Sequence, residues 1–165
     1  MKLAKIISVL SLLVILLAVN WSIYRQEQVL TQGKTVLLKL MPVDPRSLMQ
    51  GDYMELNFEL ANQIRRQLIQ QNTDTASSGK LKTQDGYVVV KINQNQEGEF
   101  VRIDDGEALA ENELRLFFRV RHGKIKFASN GFFFQEGKAS EYENAKFGEF
   151  KVGEDGNLLL VDLTE

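Results

Sequence analysis

The stretch LRLFFRVRHGKIKF, residues 114–127, decides the fold class. From Leu114 to Arg121 apolar and basic side chains mostly alternate, the two-residue period of a half-buried strand. His122-Gly123 suits a tight turn, and Lys124 to Phe127 takes up the alternation again. Such a hairpin commits this part of the chain to antiparallel pairing. Leu116, Phe118 and Val120 are expected on the core face, with Arg115, Phe117, Arg119 and Arg121 on the other. Lys124 and Lys126 extend that outer face into a basic ribbon carrying one aromatic. It is a candidate contact for anionic headgroups or an acidic partner, set against the ordinary role of charges that guard strands from aggregation.

Working outward, residues 87–92 and 100–103 read as further strands joined by a turn. Residues 35–40, 53–58 and 132–134 have the same character, and residues 147–152 and 158–163 form a hairpin across Glu154-Asp155-Gly156. Leu60, Ile64 and Leu68 recur every four positions, which predicts a helix over 61–71. A second short helix is predicted over 138–145, with Ala139 and Tyr142 facing inward. Residues 72–86 hold almost no large apolar group and read as a flexible loop. Seven or eight strands with two short helices give an α+β, mainly antiparallel, β-rich domain.

The amino-terminal end has a different composition. Eighteen of residues 1–24 are hydrophobic, against 54 of the remaining 141. From Ile6 to Tyr24 nineteen residues carry no charge; as a helix they span roughly 28 Å, the thickness of a bilayer's hydrocarbon core. Trp21 and Tyr24 fall where interfacial aromatics settle. A cleaved signal peptide is the rival reading, but the apolar run is long and no A-x-A site follows it. The chain therefore divides into a tail and transmembrane anchor over 1–24, a loose polar neck over 25–34, and a domain over 35–165. Lys2 and Lys5 precede the helix, and a short basic tail that stays in the cytoplasm while the domain is exported is the simplest insertion. That places the domain outside the cytoplasmic membrane, in contact with the bilayer through Ile6 to Tyr24.

Composition excludes more chemistry than it supplies. The chain has no cysteine, one histidine and a net charge of −2, so disulfides, thiol nucleophiles and a basic nucleic-acid footprint are absent. No metal or cofactor is expected: Asp104, Asp105 and Glu107, like Glu154 and Asp155, lack the alternating acidic spacing of a calcium loop. His122 reads as a solvated turn residue. No catalytic set is marked.

The loop from Pro42 to Tyr53 is the most informative segment. Pro42 and Pro45 stiffen it, and Asp44, Arg46 and Asp52 place three charges on it. Two readings stand side by side. In the structural one, Asp44 accepts backbone N–H groups, Arg46 pairs with Asp52, and Gly51 supplies a turn. In the functional one, the loop presents Asp44, Arg46 and Tyr53 to a partner or ligand.

Pro42-Val43-Asp44-Pro45-Arg46-Ser47 followed by Gly51-Asp52-Tyr53-Met54-Glu55-Leu56-Asn57-Phe58 resembles the GDYXXLXY family of bacterial membrane-anchored proteins. A second stretch agrees: Glu136-Gly137-Lys138-Ala139, Tyr142-Glu143, Ala145, then Phe147 to Val152, ending in Leu160-Val161-Asp162-Leu163. The chain departs from the family name at Phe58, where the family has tyrosine. The resemblance implies no reaction. It implies one amino-terminal membrane helix and a multi-pass membrane protein as neighbour, hence an accessory or interaction role. An alternative is a membrane-tethered serine hydrolase with Ser47 as nucleophile, faintly similar to bacterial signal peptidases. The spacing to Gly51-Asp52 is shorter than theirs, and Leu48 stands where they have methionine.

Overall fold

The computed structural model describes residues 2–41, 53–71 and 81–165. Helix α1 (Lys2–Gln32) comes first and is a single unbroken element. Its apolar side chains are exposed on every side, from Ile6 to Tyr24. The polar members of the run look after themselves: the Ser11 hydroxyl donates to the Ile7 carbonyl and the Asn20 amide to the Leu16 carbonyl, each at 2.9 Å.

The neck differs from the sequence reading. Residues 25–32 continue α1 rather than forming a loose linker. Arg25, Gln26, Glu27, Gln28 and Leu30 are good helix formers, and no glycine or proline interrupts them before Gly33. Gly33 ends the helix, its N–H on the Val29 carbonyl at 3.0 Å. A β-carbon there would collide with that same carbonyl.

β1 (Lys34–Lys39) starts one residue later. It pairs antiparallel with β8 (Phe147–Val152), which pairs with β9 (Leu158–Thr164). Chain start and chain end of the domain thus share one sheet. A second sheet has the order β4-β3-β5-β6, from β3 (Gln84–Ile92), β4 (Gly98–Ile103), β5 (Glu113–Arg121) and β6 (Lys124–Lys126). β2 (Tyr53–Glu55) pairs with β7 (Gly131–Phe133) in a separate ribbon. All these strand pairs are antiparallel.

The 114–127 hairpin forms as its alternation predicts. Leu116, Phe118 and Val120 are buried, and His122 and Gly123 take φ values of 52° and 73° in the turn. Two left-handed residues in a two-residue loop match the twist of the strands. β3 begins at Gln84, inside the stretch read as loop. The length of β5 recruits it: Gln84, Asp85 and Gly86 lie opposite Val120, Arg119 and Phe118. Gly86 has no side chain because the Phe118 ring occupies that space. Of the predicted loop, residues 72–80 lie outside the described residues.

α2 (Glu59–Gln71) buries Leu60, Ile64 and Leu68 and packs against β1, β4 and β6. α3 (Ala139–Tyr142) is shorter than the helix read from sequence. Tyr142 does face inward, against Phe132 and Phe134 at 4.9 and 5.6 Å. The side chain of Ala139 lies outside the described residues. At the centre, Phe58 sits edge-on to Phe127 and Phe150, at 5.7 and 5.4 Å.

Candidate functional site

The motif stretch from Tyr53 to Phe58 alternates as read, but its hydrogen-bonding partner changes midway. Met54, Leu56 and Phe58 are buried, while Glu55 and Asn57 are exposed. β2 ends at Glu55; Leu56 N–H then donates to the Asn130 carbonyl at 2.7 Å, and Phe58 bridges to Leu40 beyond β1. The strand leaves one neighbour to reach another, so the continuous strand read over 53–58 stops early.

Phe58 is 1% exposed, and its ring leans on Gly148, where a β-carbon would lie 3.0 Å from it. The first motif stretch therefore packs directly on the second. Gly148 and Phe150 belong to β8, and the Phe58 ring sits between Phe150 and Phe127, the residue that follows β6. At the position where the family name has tyrosine, this chain uses the ring alone as core.

Tyr53 is the described member of the motif loop that reaches the surface. Its ring fills the space above Gly131 and lies 5.1 Å from Phe133. Asp44, Arg46, Ser47, Gly51 and Asp52 lie outside the described residues.

The basic ribbon on β5 is largely neutralised. Arg115 Nε lies 2.7 Å from an Asp104 carboxylate oxygen, and its Nη2 donates to the Glu107 carbonyl at 3.2 Å. Arg121 Nη1 lies 2.6 Å from Asp85, and Lys124 lies 3.6 Å from Glu55. Phe117 packs on Tyr87 at 5.3 Å rather than standing free. Arg119 remains exposed, opposite Asp85 in register. The acidic partners escape a sequence reading because strand register, set by residues far along the chain, chooses them.

Arg102 is paired within its own turn and across to β5, reaching Glu113 at 3.3 Å, Asp105 at 3.7 Å and Glu107 at 3.9 Å. Burial alone would pull the Arg102 pKa down, yet these three carboxylates raise it above its ordinary value. Glu113 is held below the usual carboxylate range, first by the Ala110 N–H and then by Arg102. The hydrogen bond from Arg121 does the same for Asp85. The acidic turn weighed as a calcium loop is thus occupied by guanidinium groups. His122 is an exposed turn residue at the hairpin tip.

Two concavities flank α2. One of about 770 Å³ lies between Lys39 to Met41, Arg65, Arg66 and Phe147. The other, about 410 Å³, runs between β6 and the outward face of the β2–β7 ribbon, past Tyr53, Asn130 and Phe133. The first is lined by Lys39, Glu59, Arg65 and Arg66 with apolar groups between them, and the second carries the polar side chains of Asn57, Asn62, Ser129 and Asn130.

Fold and surface together define a class: an α+β domain carried on one helix long and apolar enough to cross a membrane. The chain belongs to the GDYXXLXY protein family, whose family model matches residues 15–163. The match runs from within the apolar helix to the last strand. No curated protein and no solved structure matches the chain.

Proposed function

We propose that the protein is a membrane-anchored accessory subunit, its domain held outside the cytoplasmic membrane beside a multi-pass membrane protein. The observation that carries this reading is the contrast within one chain. The domain buries its own apolar residues, while α1 leaves Ile6, Leu10, Leu13, Leu17 and Trp21 at least half exposed. Such a surface is stable only in lipid or against another membrane helix. Lys2, Lys5 and the α-amine before the helix stand against Arg25, Lys34 and Lys39 after it. The cytoplasmic amino terminus therefore rests on the short tail staying behind while the long domain is exported. Arg102, Arg115 and Arg121 are engaged in ion pairs on one face of the larger sheet, which suits a binding module better than a catalyst.

Purifying the full chain in mild detergent tests the role. A multi-pass membrane protein is expected in stoichiometric yield. Recovery of the chain alone, under conditions that keep known membrane complexes intact, would refute it. Orientation is tested separately with Glu136→Cys, a clean probe because the chain has no cysteine of its own. A membrane-impermeant maleimide is expected to label it before the cytoplasmic membrane is broken; labelling only afterwards would reverse the topology.

A further inference from the structure

Building on the interaction reading, we propose that the cleft beside Tyr53 and Phe133 docks an extended, acidic segment of the partner protein. Phe133 is 77% exposed, whereas the next most exposed large apolar side chain of the described domain, Val101, is 39% exposed. Its neighbour Phe132 turns inward onto Tyr142, so the strand does not lack a place to bury a ring. Phe133 is held outward instead, propped by Tyr53 over the bare backbone of Gly131. A rigid aromatic pair at the mouth of a cleft is the usual anchor of a protein interface.

Charge says what kind of segment fits. Among the described residues, Lys124, Lys126 and Arg65, which also donates to the Gly123 carbonyl at 2.8 Å, line the cleft against one carboxylate, Glu55. Glu55 takes Lys124, while Lys126 is exposed and pairs with no carboxylate among the described residues. An acidic segment would complement this rim, and like-charged competitors would be repelled.

Backbone geometry says why the segment is extended. β6 ends its sheet, so among the described residues no strand pairs with its outer edge. Arg121 and Lys124 flank the two-residue turn and form the hydrogen-bonded pair, which makes Val120 and Ile125 the non-bonded one. The N–H and C=O of Ile125 therefore point away from β5. All three β6 residues line the cleft although the Ile125 side chain is buried, so the cleft reaches the strand edge itself. Also lining the cleft, the Asn130 amide donates to the Leu56 carbonyl at 3.3 Å, while its Oδ1 is buried without a partner among the described residues. Such an acceptor calls for an N–H donor. Peptide backbone supplies donors and acceptors in the required alternation, as in strand addition to other sheet edges. A lipid surface would use the aromatics and cations but leave these groups unmet.

The test is photo-crosslinking of the full chain in its native membrane. Benzoylphenylalanine is placed at Phe133 and, as control, at Val101. An adduct at 133 is expected, mapping to an Asp- and Glu-rich stretch of the co-purifying partner, with little at 101. Lys124→Glu with Lys126→Glu should lower its yield about tenfold, with the domain's melting temperature unchanged. Equal yield at both positions, or an adduct to lipid, to a second copy, or to residues 42–52 of the same chain, would overturn the proposal. If the wild-type chain recovers its partner but position 133 captures nothing, the cleft assignment falls and the accessory role stands. If no partner is recovered at all, both fall.

Discussion

Val14, Ile15 and Leu16 of α1 and Val88, Val89 and Val90 of β3 are near-identical runs of aliphatic side chains. The first three are 50–59% exposed and the second three 0%. The difference lies in what the rest of the chain provides. β3 is central in its sheet, and its backbone is satisfied by β4 and β5 on either side. Val88 and Val90 enter the common core, while Val89 lies on the opposite face, level with Arg102 and Arg115. Those two arginines hold residues 104–113 by their ion pairs, and Val89 is closed over as a result. α1 satisfies its own backbone and receives no such cover. One run is buried by the protein and the other must be buried by its surroundings.

Introducing a charge breaks the comparison most sharply. Val90→Lys buries an ammonium without a partner and should cost several kcal/mol, enough to unfold the domain. Leu13→Lys should leave the domain's thermal transition in place and instead weaken membrane retention, by about 3 kcal/mol of insertion free energy. Thermal unfolding and flotation with vesicles, run on both variants, separate the two effects.

Truncation gives a smaller version of the same contrast. Phe58→Ala removes the ring between Phe127 and Phe150 and should destabilise the domain by about 3–5 kcal/mol. Leu16→Ala in the exposed run should leave the domain's denaturant midpoint unchanged. Gly148→Ala drives a methyl towards the Phe58 ring and should cost about 1–3 kcal/mol. A Gly148→Ala protein as stable as the wild type would mean that the contact between the two motif stretches is loose.

The smallest effect concerns the ion-paired carboxylates of this sheet, Glu113 with Arg102 and Asp85 with Arg121. Glu113 and Asp85 both titrate below their ordinary range in the folded chain. Their stabilisation is therefore complete above the unfolded carboxylate range, near pH 4 and upward. It is lost as pH falls through the lower folded values, because the unfolded chain then binds more protons. Melting temperature measured from pH 7 downward should fall on the acid side, and Glu113→Gln should flatten that limb. An unchanged limb would show that the Ala110 and Arg102 contacts to Glu113 add nothing in solution.

These comparisons also mark what could be read from residues in order. The apolar run of α1, the His122-Gly123 hairpin and the Leu60, Ile64 and Leu68 stripe carry their secondary structure locally, and each is present at its expected place. The strand of Gln84, Asp85 and Gly86 carries no local signal; it exists because β5 is long enough to pair with it. The helical neck was hidden by its polarity, although its residues favour helix. The Asp85 partner of Arg121 was hidden because pairing register joins residues far apart in the chain, and the nearer partners of Arg102 and Arg115 because the turn over 104–113 folds back on the sheet. The surface at Phe133 was hidden for a related reason: three consecutive phenylalanines differ only in which neighbour each one meets.

Gly33 has a mechanical meaning. α1 ends at Gln32 and β1 begins at Lys34, so one residue joins them. The last turns of the helix also touch the β8–β9 turn, with Arg25 3.8 Å from Asp155. The domain has no tether on which to swivel. A tilt or rotation of the helix is transmitted to the sheet as a change of heading, through a joint one residue long.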